Sequence, residues 1–284
     1  MMAKKRKNIS IGVLIVAVVI NAIIYLAIST ADLGKINEFS EKYFGVKIIE
    51  TDALAKVDNN NQNILGKTKT ESEILDSKYD LYVHFIDVGQ GDAILIEQDG
   101  HNMLIDAGPT GSKKTLEEYL QKNNVKNLDY IIVTHNHEDH IGGMANIISN
   151  FNVGKILMSK DISTTKTFEN LINAAKSKNL KFTNISKNET YEFSKSQFII
   201  LSDGNNTHSN INNHSIVIKL KYGDVSFLFM GDAEKEIEEE LLSSNSDLKS
   251  NVIKLGHHGS NTSSSKEFIL KVDPDSAIVS CRKK

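Results

Sequence analysis

The chain has 284 residues, 40% hydrophobic and 24% charged, a globular balance with room for one large domain and flanking segments. With 33 basic against 36 acidic residues the net charge is −3, so bulk basicity is excluded as a means of gripping nucleic acid. The single cysteine, Cys281, excludes an intrachain disulfide and a thiolate cluster, leaving histidine and carboxylate as metal donors, a set suited to zinc or manganese.

The first predicted element is an apolar run over residues 11–28, preceded by Lys4, Lys5, Arg6 and Lys7. About 18 apolar residues suffice to cross a hydrocarbon core. The basic cluster orients residues 1–30 as a cytoplasmic tip and transmembrane signal-anchor, with everything after them extracytoplasmic. A cleaved signal peptide is the alternative, since Ala27-Ile28-Ser29 offers a cleavage site. The expectation is a single-pass cell-membrane protein. Its exported part, with 29 basic and 36 acidic residues, carries about −7.

Residues 31–78 read as a flexible stalk. A short polar helix over 31–43 precedes Asp58-Asn59-Asn60-Asn61-Gln62-Asn63 and a polar stretch without sustained period. Such composition buries too little apolar surface to fold alone.

From residue 79 to 284 the texture is that of a folded domain. "LYVHFIDVGQGDAILIEQDG" holds two β-rich runs, 81–88 and 93–97, hinged on Gly89-Gln90-Gly91-Asp92, and "HNMLIDAG" holds a third. Further strands are predicted at 130–133, 155–158, 198–202, 215–222, 225–230, 252–255 and 277–280. Helices are predicted at 114–122, 142–149, 165–178, 233–243 and 264–272. Early hairpins followed by strand–helix alternation predict an α/β (α+β) arrangement, sheets with helices on their outer faces, rather than a doubly wound sheet.

Three apolar runs end in metal-competent side chains. In "IIVTHNHEDHIGG", His135 and His137 alternate along an extended segment and can meet one ion, while Asp139 and His140 follow as the chain turns and can meet a second. That density of imidazole and carboxylate is costly to desolvate unless something satisfies it. "FLFMGDAE" ends at Gly231-Asp232, where Asp232 reads both as a projecting ligand and as the N-cap of the following helix. "NVIKLGHHGS" ends in Gly256, His257, His258, Gly259 and Ser260.

In that order, "FIDVGQGDAILI", "LIDAG", "THNHEDHIGG", "NNHSIVIKLKYG", "FLFMGDAE" and "KLGHHGS" resemble the metallo-β-lactamase superfamily, over residues 79 to 280. More closely they resemble the hydrolase domain of ComEC-type competence proteins and their free-standing relatives. The resemblance implies a metallo-β-lactamase αββα sandwich with two divalent ions where strand ends converge. It implies that His135 and His137 hold the first ion, that Asp139, His140 and His258 hold the second, and that Asp232 bridges them. Asp106 would steady the ligand loop. His258, directly before Gly259, fits the last ligand position, which leaves His257 or a donor near Ser260 to touch substrate.

Two departures accompany the resemblance. Many superfamily members give the first ion a third histidine where this chain has Asn212, with His208 and His214 nearby. ComEC-type domains generally lack it as well, so the first site is expected to be the weaker. Relatives also continue past the strand at 277–280 into a Gly-His-Pro segment, a helix and a strand, whereas this chain closes on "SCRKK"; a truncated C-terminus is the expectation.

The expected activity is that of a membrane-anchored, extracytoplasmic, metal-dependent hydrolase, a phosphodiesterase or nuclease. It would use a hydroxide bridging two ions roughly 3.5–4 Å apart. Asp139, Asp232 and His257 are the catalytic candidates, and nucleic acid or a cell-envelope polymer the phosphodiester substrate. Two alternatives stand beside it: an inactive binding or scaffold protein, and a lactam, lactone or thioester hydrolase, because one scaffold hosts many chemistries.

Overall fold

The computed structural model describes residues 46–51, 81–205 and 208–282, in which thirteen strands form two mixed sheets. The first follows the order β1 (Val46–Thr51), β2 (Leu81–Ile86), β3 (Ile94–Gln98), β4 (His101–Ile105), β5 (Asn127–Val133), β6 (Asn152–Met158), β7 (Phe182–Thr183). Strands β2 to β4 are an antiparallel meander, whereas β1–β2 and β4 through β7 pair in parallel. The second sheet holds β8 (Thr190–Phe193), β9 (Ser196–Asp203), β10 (Ile216–Tyr222), β11 (Val225–Phe229), β12 (Val252–Lys254) and β13 (Ser276–Ile278). It is antiparallel from β8 to β11 and parallel from β11 to β13.

Alternation along each strand builds the layers, because successive side chains leave a strand on opposite faces. In β3 and β4, Ile94, Ile96, Met103 and Ile105 face the second sheet, where they meet Phe198, Ile218, Phe227 and Phe229. Leu95 and Leu104 point the other way. They pack under α1 (Lys113–Lys122), α2 (Glu138–Ile141), α3 (Met144–Asn150) and α4 (Lys166–Ser177) through Leu116, Ile141, Ile147 and Leu171. Likewise Val217 and Leu228 leave the central layer for Ile237 of α5 (Lys235–Ser243) and Phe268 of α6 (Lys266–Val272). The result is helix–sheet–sheet–helix. A one-residue slip of β3 would drive Glu97 into the central layer, so the register is strongly specified.

Several expectations shift. Residues 46–51, inside the segment read as a flexible stalk, form β1 and pair in parallel with β2; the rest of 31–78 lies outside the described residues. The helix expected over 142–149 begins at Met144, and a separate short helix, α2, ends before Gly142 and Gly143. The helix expected over 233–243 begins at Lys235 with Glu234 as N-cap, so Asp232 is not a cap. The single-pass membrane placement is corrected. Among the described residues no helix is long and apolar enough to cross a membrane, and the run over 11–28 expected to do so lies outside them.

Candidate metal centre

The ends of β4, β5, β11 and β12 open onto one rim. Backbone bonds hold it: Asp106 N–H donates to the Ile132 carbonyl at 2.9 Å, and Ile216 N–H donates to the Thr134 carbonyl at 2.9 Å, tying one sheet to the other. Ala107 N–H donates to the His140 carbonyl at 2.7 Å and so draws the short helix α2 onto the end of β4. Asp139 and His140 lie on that helix, while His135 and His137 precede it on extended chain.

Four donors converge there. His140 Nε2 and His258 Nε2 lie 3.2 and 3.3 Å from Asp232 Oδ2, and His258 Nε2 lies 3.3 Å from Asp139 Oδ2. Bonds of about 2.0–2.2 Å at tetrahedral angles would space neighbouring donors about 3.3–3.6 Å apart. The observed spacings match. His140 Nε2, His258 Nε2 and Asp232 Oδ1 are buried without a hydrogen-bond partner, an expensive condition that a cation relieves. Beside this group, His135 Nε2 sits 3.0 Å from His137 Nδ1 and 3.8 Å from Asp232 Oδ2. The second cluster therefore offers His135, His137 and the shared Asp232, one donor fewer than the first.

The surrounding bonds set the tautomers. His140 Nδ1 lies 2.7 Å from Asp106 Oδ2, and His258 Nδ1 donates to the Ser280 carbonyl at 2.9 Å, so in each ring it is Nε2 that faces Asp232. The Thr134 hydroxyl donates to Asp106 Oδ2 at 2.6 Å, leaving its oxygen to accept from His135 Nδ1 at 3.2 Å. Ser215 Oγ accepts from the Asp232 N–H at 3.0 Å. Asp92, Asp106 and His140 also lie close enough together to suggest a third cluster. Asp106 is saturated by Thr134 and His140, however, and Asp92 is ion-paired with Lys254.

Charge follows from this packing. Burial disfavours a charged His140, but Asp232 and Asp106 outweigh it and hold its pKa well above the usual value. Burial also opposes charge on His258, yet Asp139 and Asp232 raise it to about 9. His135 is pushed well below the ordinary range by burial, with His140 adding repulsion. Asp232 is held far below the carboxylate range; burial opposes its charge, and His140 chiefly overcomes that.

His257 belongs to neither cluster. Its Nδ1 lies 2.9 Å from Glu234 Oε1 and 3.0 Å from Thr262 Oγ1, with its ring 32% exposed. His257 and His258 are themselves consecutive left-handed residues (φ 45° and 54°), a strain of about 1–3 kcal/mol each that is typical of functional sites. His214 is turned away: Nδ1 is 2.9 Å from Asp161 and Nε2 is 2.8 Å from the His208 carbonyl. His208 sits between Glu236 and Glu240. Asn212 binds Glu234 at 2.7 Å through Nδ2. Ser260 Oγ contacts Thr262 rather than any of the clustered donors.

Sequence reasoning missed Asp92, Thr134, Ser215, Glu234 and Lys254. Lys254 alone carried a signal, as a cation inside the apolar run "NVIKLG".

Comparison with known proteins places this rim in a family. The profile described as metallo-beta-lactamase superfamily matches residues 86–282. The chain is 30% identical over 220 residues to ComE operon protein 3 of Bacillus subtilis, covering 71% of this chain and 28% of that protein. It is 31% identical over 209 residues to Recombination protein 2 of Haemophilus influenzae, covering 72% and 24%. The chain thus spans about a quarter of the length of these relatives. Among solved structures, a diphosphatase of the PhnP family is similar at 17% identity and a TM-score of 0.42, over 66% of this chain and 71% of that one. Every strand end that carries a clustered donor lies inside the matched residues, and on that match the chain belongs to the metallo-beta-lactamase superfamily.

Proposed function

We propose that this chain is a metal-dependent hydrolase of phosphodiesters. The observation that carries the reading is the convergence of two buried imidazole nitrogens without hydrogen-bond partners, His140 Nε2 and His258 Nε2, on the Asp232 and Asp139 carboxylates at 3.2–3.3 Å spacings. Asp139, His140, His258 and Asp232 would hold one divalent ion, and His135, His137 and Asp232 a second, with Asp232 shared. When bound, such a pair supplies charge neutralisation and Lewis-acid polarisation to a phosphoryl group and its attacking water. Zinc suits the donor set best and manganese is the other candidate.

The chain's own residues do the rest. His257, held through Nδ1 by Glu234 and Thr262, would hydrogen-bond a charged substrate oxygen. Glu234 and Thr262 also line an open cleft of about 440 Å³ with Asn210, Asn213, Lys235, Glu236 and Asn261. Those side chains are polar or charged without exception. Such a wall favours a hydroxyl- and phosphate-rich substrate over the apolar acyl group of a thioester. Recombination protein 2, a relative named for recombination, favours nucleic acid as that substrate.

The test is a substrate panel assayed with zinc-loaded, manganese-loaded and chelated protein. It contains bis-p-nitrophenyl phosphate, single- and double-stranded DNA, a cephalosporin and an acyl thioester. Chelator-sensitive turnover of the diesters is expected. Turnover of the cephalosporin or thioester alone would overturn the substrate class, and full activity in chelated protein would overturn the metal dependence.

A further inference from the structure

Beneath the clustered donors lies a buried ion pair that the reading above does not use. Lys254 ends β12 and Asp92 follows the Gly89-Gln90-Gly91 turn; each residue is 1% exposed. The Lys254 ammonium contacts Asp92 Oδ2 and donates to the Gly231 carbonyl at 3.2 Å, one residue before Asp232. Asp92 in turn donates its N–H to the Asp139 carbonyl at 3.3 Å and accepts from Gly108 N–H at 2.8 Å. Its Oδ1 has no hydrogen-bond partner and lies 3.7 Å from His258 Nδ1.

A buried ion pair is weak support for stability, because desolvating two charges consumes most of their attraction. This pair instead links three chain segments, and those segments carry Asp139, Asp232 and His258. We infer that Asp92 and Lys254 are positioning residues for the four-donor metal site, fixing the spacing of Asp139, Asp232 and His258 before an ion arrives. The inference rests on the metal reading above. Removing the lysine would leave the Asp92 carboxylate buried and unpaired beside His258, free to pull that imidazole from the Ser280 carbonyl. Removing the aspartate's charge would free the ammonium and loosen Gly231.

The experiment titrates the metal-free full chain with zinc against a chromophoric chelator and records the visible spectrum of the cobalt form. Wild type is compared with Lys254→Met and Asp92→Asn, and far-UV circular dichroism checks their folding. Wild type should take two equivalents, the tighter at the four-donor site. Both variants should weaken that equivalent ten- to a hundredfold, as loss of an outer partner does, and alter its cobalt bands. The other equivalent should change little.

Variants that titrate like wild type overturn the inference. So does loss of both equivalents together, or failure of both variants to fold, since either makes the pair a folding element. Absence of metal uptake by wild type would remove the metal reading itself and the inference with it, a result readily told apart from variants that match a metal-binding parent.

Discussion

Asp106 and His140 are joined by a 2.7 Å hydrogen bond from imidazole Nδ1 to carboxylate Oδ2, with both side chains wholly buried. The same oxygen accepts from the Thr134 hydroxyl, which holds His135 Nδ1 at 3.2 Å. One carboxylate thus orients a histidine of each cluster. Asp106→Ala should weaken both metal equivalents by about 10–100-fold, whereas Thr134→Val should weaken the three-donor site alone. Competition titration reads both. Selective loss at the four-donor site in Asp106→Ala would show that Thr134 does not relay the effect.

The unequal donor sets predict unequal release. The purified protein should hold about two divalent ions, and dialysis against a mild chelator should remove the ion of the His135–His137 site first. Asp139→Ala should lose the other ion, Asp232→Ala should lose both, and each should abolish hydrolysis. His214→Ala should leave the order of release unchanged, because both its ring nitrogens already have partners outside the site. A large drop in metal content in His214→Ala, measured by elemental analysis, would contradict that placement.

The strands of the central layer were legible because they alternate cleanly, as Ile94, Leu95 and Ile96 do between two cores. β7 and β8 were not. Phe182–Thr183 spans two residues, and in Thr190–Phe193 the outward positions are exposed Thr190 and Glu192, so neither carries an apolar run. The clustered donors were legible for a related reason: histidines and acids at the ends of apolar strands have few packing roles. Their supports were not. Thr134 and Ser215 act through hydroxyls that look like ordinary strand-end residues, and Asp92 meets Lys254 across 162 positions of chain.

The metal-free protein should lose stability as pH rises above neutrality. Burial opposes charge on His258, but Asp139 and Asp232 raise its pKa to about 9, against an ordinary histidine value once unfolded. A raised pKa contributes stability that is complete below about 6.5 and is lost as pH rises through about 9, on the order of 2 kcal/mol. His140 is shifted the same way. His135, depressed by burial, has the opposite sign: its contribution is present above about 6.5 and fades as pH falls below it. Melting temperature in metal-free buffer should therefore decline from pH 6.5 to 9. Zinc should flatten the decline by taking the place of the protons, and a flat metal-free profile would refute these protonation states.

The turn before Asp92 offers a steric test of the ligand geometry. Gly89 and Gly91 both have positive φ, +83° and +135°, so alanine at either position bears a backbone penalty of about 1 kcal/mol or more. Their surroundings differ. A Cβ on Gly89 would meet nothing within 4 Å, whereas on Gly91 it would lie 2.2 Å from the Asp139 carbonyl oxygen. That contact cannot be tolerated, and the neighbour is the backbone of a clustered donor rather than a flexible side chain. Gly91→Ala should push Asp139 away from His258 and release the four-donor ion, while Gly89→Ala should cost some stability and keep both ions. Both variants bear a φ penalty, so loss of one ion in Gly91→Ala with both ions kept in Gly89→Ala points to the displacement of Asp139. Equal metal content in the two would mean that the carbonyl gives way without moving the carboxylate, and that Asp139 is placed by α2 rather than by its contact with the turn.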